Sequence, residues 1–149
     1  MAIRTIRTYG DTILRKKCRP VEQIDDRIKT LLADMVETLY NTDNSAGLAA
    51  PQIGILKRLV VYDMGEGLVQ LINPEIIEVK GEQDVIEGCL SIPGKWGNLK
   101  RPEYVKIKYL NENGDSVVIE GEGEIAKCIC HELDHLDGIL FIDKVTSYL

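Results

Sequence analysis

Between residues 25 and 40, apolar side chains fall at Ile28, Leu31, Leu32, Met35 and Leu39. Spacings of three and four predict a helix with one apolar stripe, and Asp25 or Asp26 offers a side-chain acceptor for its first turn. The pattern then breaks. NTDNSAGLAAPQIG is dense in turn formers and follows neither helical nor strand period, so it predicts a loop that feeds a strand. RLVVYD (58–63) and LVQLIN (68–73) predict short buried strands around a glycine turn, with IIEVK (76–80) following. In YVKIKYL (104–110), Val105, Ile107 and Tyr109 alternate with polar residues, and Asn113-Gly114 offers a hairpin turn into SVVIE (116–120). A second strong helix begins near Gly123 and runs through His135 to Gly138, where glycine suits a helix end. Strands outnumber helices and come in hairpin order. The expectation is an α+β fold: antiparallel β-sheets packed around a central helix, in a single domain over 1–149.

Composition narrows the class without changing that picture. A chain of 149 residues can bury a core unaided, and 44% apolar with 28% charged residues is ordinary for a soluble protein. A net charge of −6 argues against nucleic acid or an anionic membrane as the main partner. The basic cluster Arg15, Lys16, Lys17 and Arg19 reads as a solvated loop. No early apolar run resembles a signal sequence, and none approaches the roughly 20 residues that span a bilayer. The four cysteines (18, 89, 128 and 130) are too few for a disulfide scaffold and read as thiols, with metal binding open to them. A cytoplasmic protein is expected.

The candidate chemistry lies in HELDHLDGILF (131–141), which holds both histidines of the chain. At about 100° per residue, Ile125, Ile129, Leu133 and Leu136 share one helix face. His131 and His135 lie four apart on an adjacent face, so both imidazoles can reach one ion. Glu132 projects between the two faces, where partial desolvation would raise its pKa toward the range of a proton carrier. Two histidines on a surface helix by chance is the plainer alternative, but their spacing and the glutamate between them favour a metal.

A catalytic site of this kind wants three protein ligands and an open position. No third histidine exists; Phe141 stands where some zinc proteases have one, and no glutamate follows His135. Cys128 shares the histidine face, but it precedes His135 by about 10 Å along the axis at roughly 1.5 Å per residue, too far for one ion. Cys130 points away. The third ligand must come from elsewhere, and Cys89 in EGCLSIPG is the best candidate, in a stretch expected to be irregular rather than a plain strand. A merely structural buried cysteine is the alternative there. Cys18 competes, but its charged loop suggests it is the less buried of the two. In SAGLAAPQIG the small residues Gly47, Ala49 and Ala50 would let a ligand or another chain approach the backbone, and Gln52 could offer its amide to an oxygen.

GLAAPQ, EGCLS and HELDH, in this order and with these intervals, resemble the peptide deformylase family, over nearly the whole chain. That family removes the formyl group from the N-terminal formylmethionine of newly made bacterial polypeptides. The resemblance implies that Cys89, His131 and His135 hold one divalent metal with a water in the fourth position. Iron(II) is the metal expected, with zinc and nickel also suited to a thiolate site. It further implies Glu132 as the proton carrier, and the Gln52 amide with the Leu90 backbone N–H as oxyanion donors. Backbone groups at Gly47 and Gly88 would bind the peptide by strand addition. Glu87 and Arg101 are expected to pair in support of the Cys89 loop.

Several positions depart from the family pattern. Ser45 stands for a usual glycine, and Cys130 for a common glutamine. Glu124 and Lys127 replace an apolar lining for the methionine side chain, and Trp96 takes the place of a substrate-binding arginine found in some members. Little chain follows Phe141 where many members have a long helix, which counts against the ribosome exit region as a partner. The readings weighed against an active deformylase are a peptidase, and a metal-binding relative with altered substrate preference or no activity. The presence of Glu132 and Gln52, which holding an ion does not need, speaks for the enzyme.

Overall fold

The computed structural model describes residues 2–43 and 45–149, so Asn44 of the expected loop lies outside the described residues. Helix α1 (Asp26–Tyr40) starts where the Asp25 carboxylate accepts the Ile28 N–H at 3.0 Å. Of the two expected caps, Asp25 is the one that serves. All five residues of the α1 stripe are buried, and truncating the fully enclosed Met35 to alanine should cost on the order of 2–5 kcal/mol.

The strands, in chain order, are β1 (Gly47–Ala49), β2 (Leu59–Asp63), β3 (Leu68–Lys80), β4 (Gln83–Cys89), β5 (Ile92–Arg101), β6 (Tyr104–Leu110), β7 (Ser116–Glu122) and β8 (Ser147–Tyr148). Helix α2 (Glu124–Leu136) follows β7. One sheet is ordered β1-β2-β3-β6-β7, the other β4-β5-β8, and every pairing within them is antiparallel. The fold is α+β.

Strand β2 shows why its sequence reads as one apolar run. Val60 and Tyr62 join the cluster that contains Ile129, Leu133 and Leu136 of α2, whereas Leu59 and Val61 join the cluster that contains Leu32 and Met35 of α1. Both faces of the sheet are covered at this end, so alternation is lost. Neighbouring β1 does the same with Ala49 and Leu48. The result clamps α2 in the middle of the molecule, with nine of its residues buried although it carries two histidines and a glutamate.

Four features differ from the expectations. The 41–54 stretch is not all loop: Gly47–Ala49 is a strand paired with β2, and Ala50–Ile53 is a 3-10 turn. The segments 68–73 and 76–80 form one bent strand rather than two. The bend is at Asn73, whose φ of 53° is tolerated because its side chain bonds both the N–H and the carbonyl of Val21. The β4–β5 hairpin is not among the expected strands, since glycines and a proline interrupt the pattern over 88–97, and EGCLSIPG proves to be mostly strand with a turn at Leu90-Ser91. Cys18 is buried in the α2 cluster despite its charged neighbours, and its N–H bonds the Leu136 carbonyl at 2.8 Å.

Just beyond α2, Gly138 has a φ of 75° and sits against the Arg15 backbone, where a Cβ would collide with the carbonyl. Only glycine serves both demands there.

Candidate metal centre

Cys89 ends β4, pairs with Ile92 and is joined to it by the two-residue turn Leu90-Ser91. That turn presents the thiol to α2. The Cys89 Sγ and one ring nitrogen each of His131 and His135 lie within 4.8 Å of one another, and Sγ is 3.4 Å from His135 Nε2. A tetrahedral ion with about 2.1 Å to nitrogen and about 2.3 Å to sulfur would need a sulfur–nitrogen separation of about 3.6 Å. The donor set fits a borderline-soft divalent cation. Cys128 and Cys130 take no part and are buried, as their helix positions predict.

The two imidazoles are held differently. His131 Nδ1 is 2.6 Å from Glu87 Oε1, which leaves Nε2 for the thiol side. His135, 1% exposed, has a buried Nδ1 with no hydrogen-bond partner among the described residues. Burial and the neighbouring His131 keep His135 neutral, well below the usual histidine range. For His131 burial opposes the charge, but bonds to Cys89 and Glu87 outweigh it and raise its pKa to about 10. A proton there supplies the positive charge that the acidic surroundings favour, and a metal cation would displace it.

Behind His131 stands a buried ionic chain. Arg101 grips Glu87 with two bonds, Nε to Oε2 at 2.7 Å and Nη2 to Oε1 at 2.9 Å, and reaches Asp134 with Nη1 at 2.6 Å. Glu87 and Arg101 do pair. Burial pushes the Glu87 carboxyl up, but Arg101 and His131 more than reverse this and lower its pKa to about 2. Asp134 also takes the Lys144 ammonium at 3.1 Å. Phe141 packs near His131, with ring centroids 6.3 Å apart.

A cleft of about 410 Å³ opens on this centre. Glu132 lines it, 5% exposed, with Oε1 buried and unpartnered among the described residues. Burial lifts its pKa to about 7, against the opposing pull of His131. Gly47 of β1 packs flat on this carboxylate, since a Cβ at that position would lie 2.8 Å from Oε2. Gln52 is fixed at both ends of its amide: Oε1 accepts the Ala49 N–H at 2.9 Å, while Nε2 lies 3.2 Å from Ser91 Oγ and 3.6 Å from Cys89 Sγ. Leu90 and Gly88 also line the cleft, and the Trp96 ring covers Gly88. Ser45, Glu124 and Lys127 also line it.

Three contributors escaped sequence reasoning: Ser91, Asp134, and the bond from Glu87 to His131. Asp134 sits three residues after His131, a helical spacing that could have flagged it. Ser91 and the Glu87–His131 bond depend on the β4–β5 turn, which local pattern does not reveal.

A cysteine and two histidines at ion distance, with a buried carboxyl carried on the same helix, define a metal-dependent hydrolase. The chain matches the family model described as polypeptide deformylase over residues 3–148. It is 58% identical to peptide deformylase 2 of Clostridium acetobutylicum over 149 residues, covering 100% of this chain and 99% of that one. It is 62% identical to peptide deformylase 1 of the same organism over 147 residues, covering 99% and 97%. The crystal structure of peptide deformylase from Thermotoga maritima superposes with a TM-score of 0.94 at 42% identity, covering 98% of this chain and 99% of that chain. A peptide deformylase from Ehrlichia chaffeensis in complex with actinonin gives 0.94 at 34% identity, covering 98% and 90%. The chain belongs to the peptide deformylase family.

Proposed function

We propose that this chain hydrolyses the N-terminal formamide of formylmethionyl peptides, releasing formate and a free amine, with residues 1–149 acting as one catalytic domain. The observation that carries the reading is the Cys89, His131 and His135 donor cluster beside the buried Glu132 carboxyl on one cleft wall. Cys89, His131 and His135 would hold the ion, with iron(II) expected and zinc or nickel also suited to the thiolate. The ion, when bound, supplies Lewis acidity that brings a water pKa toward neutrality.

The chain's own groups do the rest. Glu132 takes a proton from the attacking water and returns it to the leaving amine nitrogen, a role suited to a carboxyl whose pKa is lifted to about 7 by burial. The Gln52 Nε2 and the Leu90 N–H donate to the oxygen that gains charge as the formyl carbon becomes tetrahedral, and losing one such donor typically costs about 10²–10³ in rate. The Gln52 amide is preorganised for this by Ala49 and Ser91. The backbone at Gly47 and Gly88 would pair with the substrate strand, β1 and β4 both being sheet edges. Newly made polypeptides in the bacterial cytoplasm are the natural substrates on this reading. No helix among the described residues is long and apolar enough to cross a membrane.

The test is direct. The protein is loaded with iron(II) without oxygen and given formyl-Met-Ala-Ser, and formate and free amine are measured. Stoichiometric formate with an intact tripeptide supports the reading. Cleavage between Met and Ala would replace it with a peptidase, and metal bound without turnover would leave a binding protein.

A further inference from the structure

The cleft wall beyond the donor cluster carries a charge where a thioether pocket needs none. Lys127 lies one turn before His131 on α2 and is partly buried. Its ammonium bonds the Ile86 carbonyl of β4 at 3.2 Å and the Glu124 carboxylate at 3.0 Å. The four-carbon stem is thereby drawn along the wall between α2 and β4, beside Cys128 and Ile86, and it supplies apolar surface as a methionine or leucine would. An ammonium has three donors, and these two partners use two of them. Glu124 pairs with this charge, and one N–H of the ammonium is left without a partner among the described residues.

We propose that Lys127 is a specificity-determining residue, and that it equips the side-chain subsite to take unbranched side chains ending in an uncharged acceptor oxygen. A sulfoxide or a carboxamide at the tip of the first residue can accept the third N–H, whereas methionine and norleucine can use only the stem. The inference rests on the deformylase reading for the position of the substrate. It adds that an oxidised N-terminal formylmethionine would still be processed, where an all-apolar wall would have to desolvate the sulfoxide oxygen without a partner.

The probes are formyl-Met-Ala-Ser with its first residue replaced by norleucine or by methionine sulfoxide. The readout is the ratio of kcat/KM for the sulfoxide peptide to that for the norleucine peptide. Lys127→Met keeps the stem and removes the donor, and should lower this ratio about tenfold, in the range of a hydrogen bond to a charged group at a half-exposed site. Lys127→Arg should retain most of it. An unchanged ratio in Lys127→Met overturns the proposal, as does an equal fall in Lys127→Arg. The single tryptophan of the chain, Trp96, lines the same cleft, so its fluorescence reports binding of the two unformylated peptides without turnover. The binding ratio should shift in the same way, and a ratio there that ignores Lys127→Met also counts against the proposal. Absence of hydrolysis in every protein would overturn the deformylase reading instead, with the binding ratio still deciding this one.

Discussion

Glu87 Oε1 lies 2.6 Å from His131 Nδ1, so the residue two before the thiol on β4 fixes the orientation of a ring on α2. The same strand that presents Cys89 also sets the nitrogen that must face it. Carboxylate support of a metal-binding histidine fixes its tautomer and commonly changes affinity by about 10–100-fold when removed.

This bond has a pH signature. Glu87 has its pKa lowered from 4.5 to about 2: burial opposes ionisation, and Arg101 and His131 overcome it. A depressed carboxylate stabilises the fold above its unfolded pKa and loses that contribution as pH falls through the folded value. Metal-free wild type should therefore lose up to about 3 kcal/mol between pH 5 and pH 2 from this group. Glu87→Gln should show a flatter decline over that window in urea unfolding, and parallel curves would contradict the assignment.

Among the described residues, Arg101 is the only cation on Glu87 apart from His131, and it is 2% exposed. Arg101→Ala would leave a buried carboxylate half paired, a change that typically costs about 3–5 kcal/mol. The expected outcome is a large drop in the unfolding midpoint together with a fall in bound metal per chain, measured by elemental analysis after dialysis. Unchanged metal content and turnover would remove Arg101 from the support of the site.

At Gly47 the demand is for space. A methyl group there would meet the Glu132 carboxylate at 2.8 Å. Gly47→Ala should retain its metal yet lose turnover by at least about tenfold, the kind of loss that misplacing a catalytic group by a fraction of an ångström produces. Full activity in this variant would show that the carboxylate tolerates displacement and has no fixed role.

Thiol chemistry separates the four cysteines. Burial raises the pKa of Cys18 and Cys130 to about 11, and pushes Cys128 higher still. None of these three should react with iodoacetamide at neutral pH within minutes while the fold is intact. Cys89 is half-exposed at the cleft and should be alkylated once the ion is removed by a chelator, and protected when it is restored. Peptide mass mapping reads the result directly. Equal labelling of Cys89 with and without metal would detach it from the ion.

The parts of this protein that follow a local period were legible in the sequence. The α1 stripe, the β6–β7 hairpin at Asn113-Gly114 and the histidine helix all show their buried face as a repeat of three to four or of two. The β4–β5 hairpin has no such repeat. Its inward residues Val85 and Glu87 alternate apolar with charged, because one packs in a core cluster and the other belongs to the ionic chain. Segments 68–73 and 76–80 read as two strands, whereas the bonds between Asn73 and Val21 hold the bend that joins them into one. The charged neighbours of Cys18 suggest that it is less buried than Cys89, yet its own side chain turns inward to the core cluster with α2 and is the more buried of the two. Each miss depends on contacts between segments distant in sequence.

The proposed chemistry requires one sulfur and two imidazole nitrogens to share a single ion. X-ray absorption at the edge of the bound metal measures this first shell in solution. The expected shell is one sulfur at about 2.3 Å and two nitrogens at about 2.0–2.1 Å with one further light atom, the sulfur vanishing in Cys89→Ser. A sulfur-free shell in the wild-type protein, or an identical shell in Cys89→Ser, would contradict it.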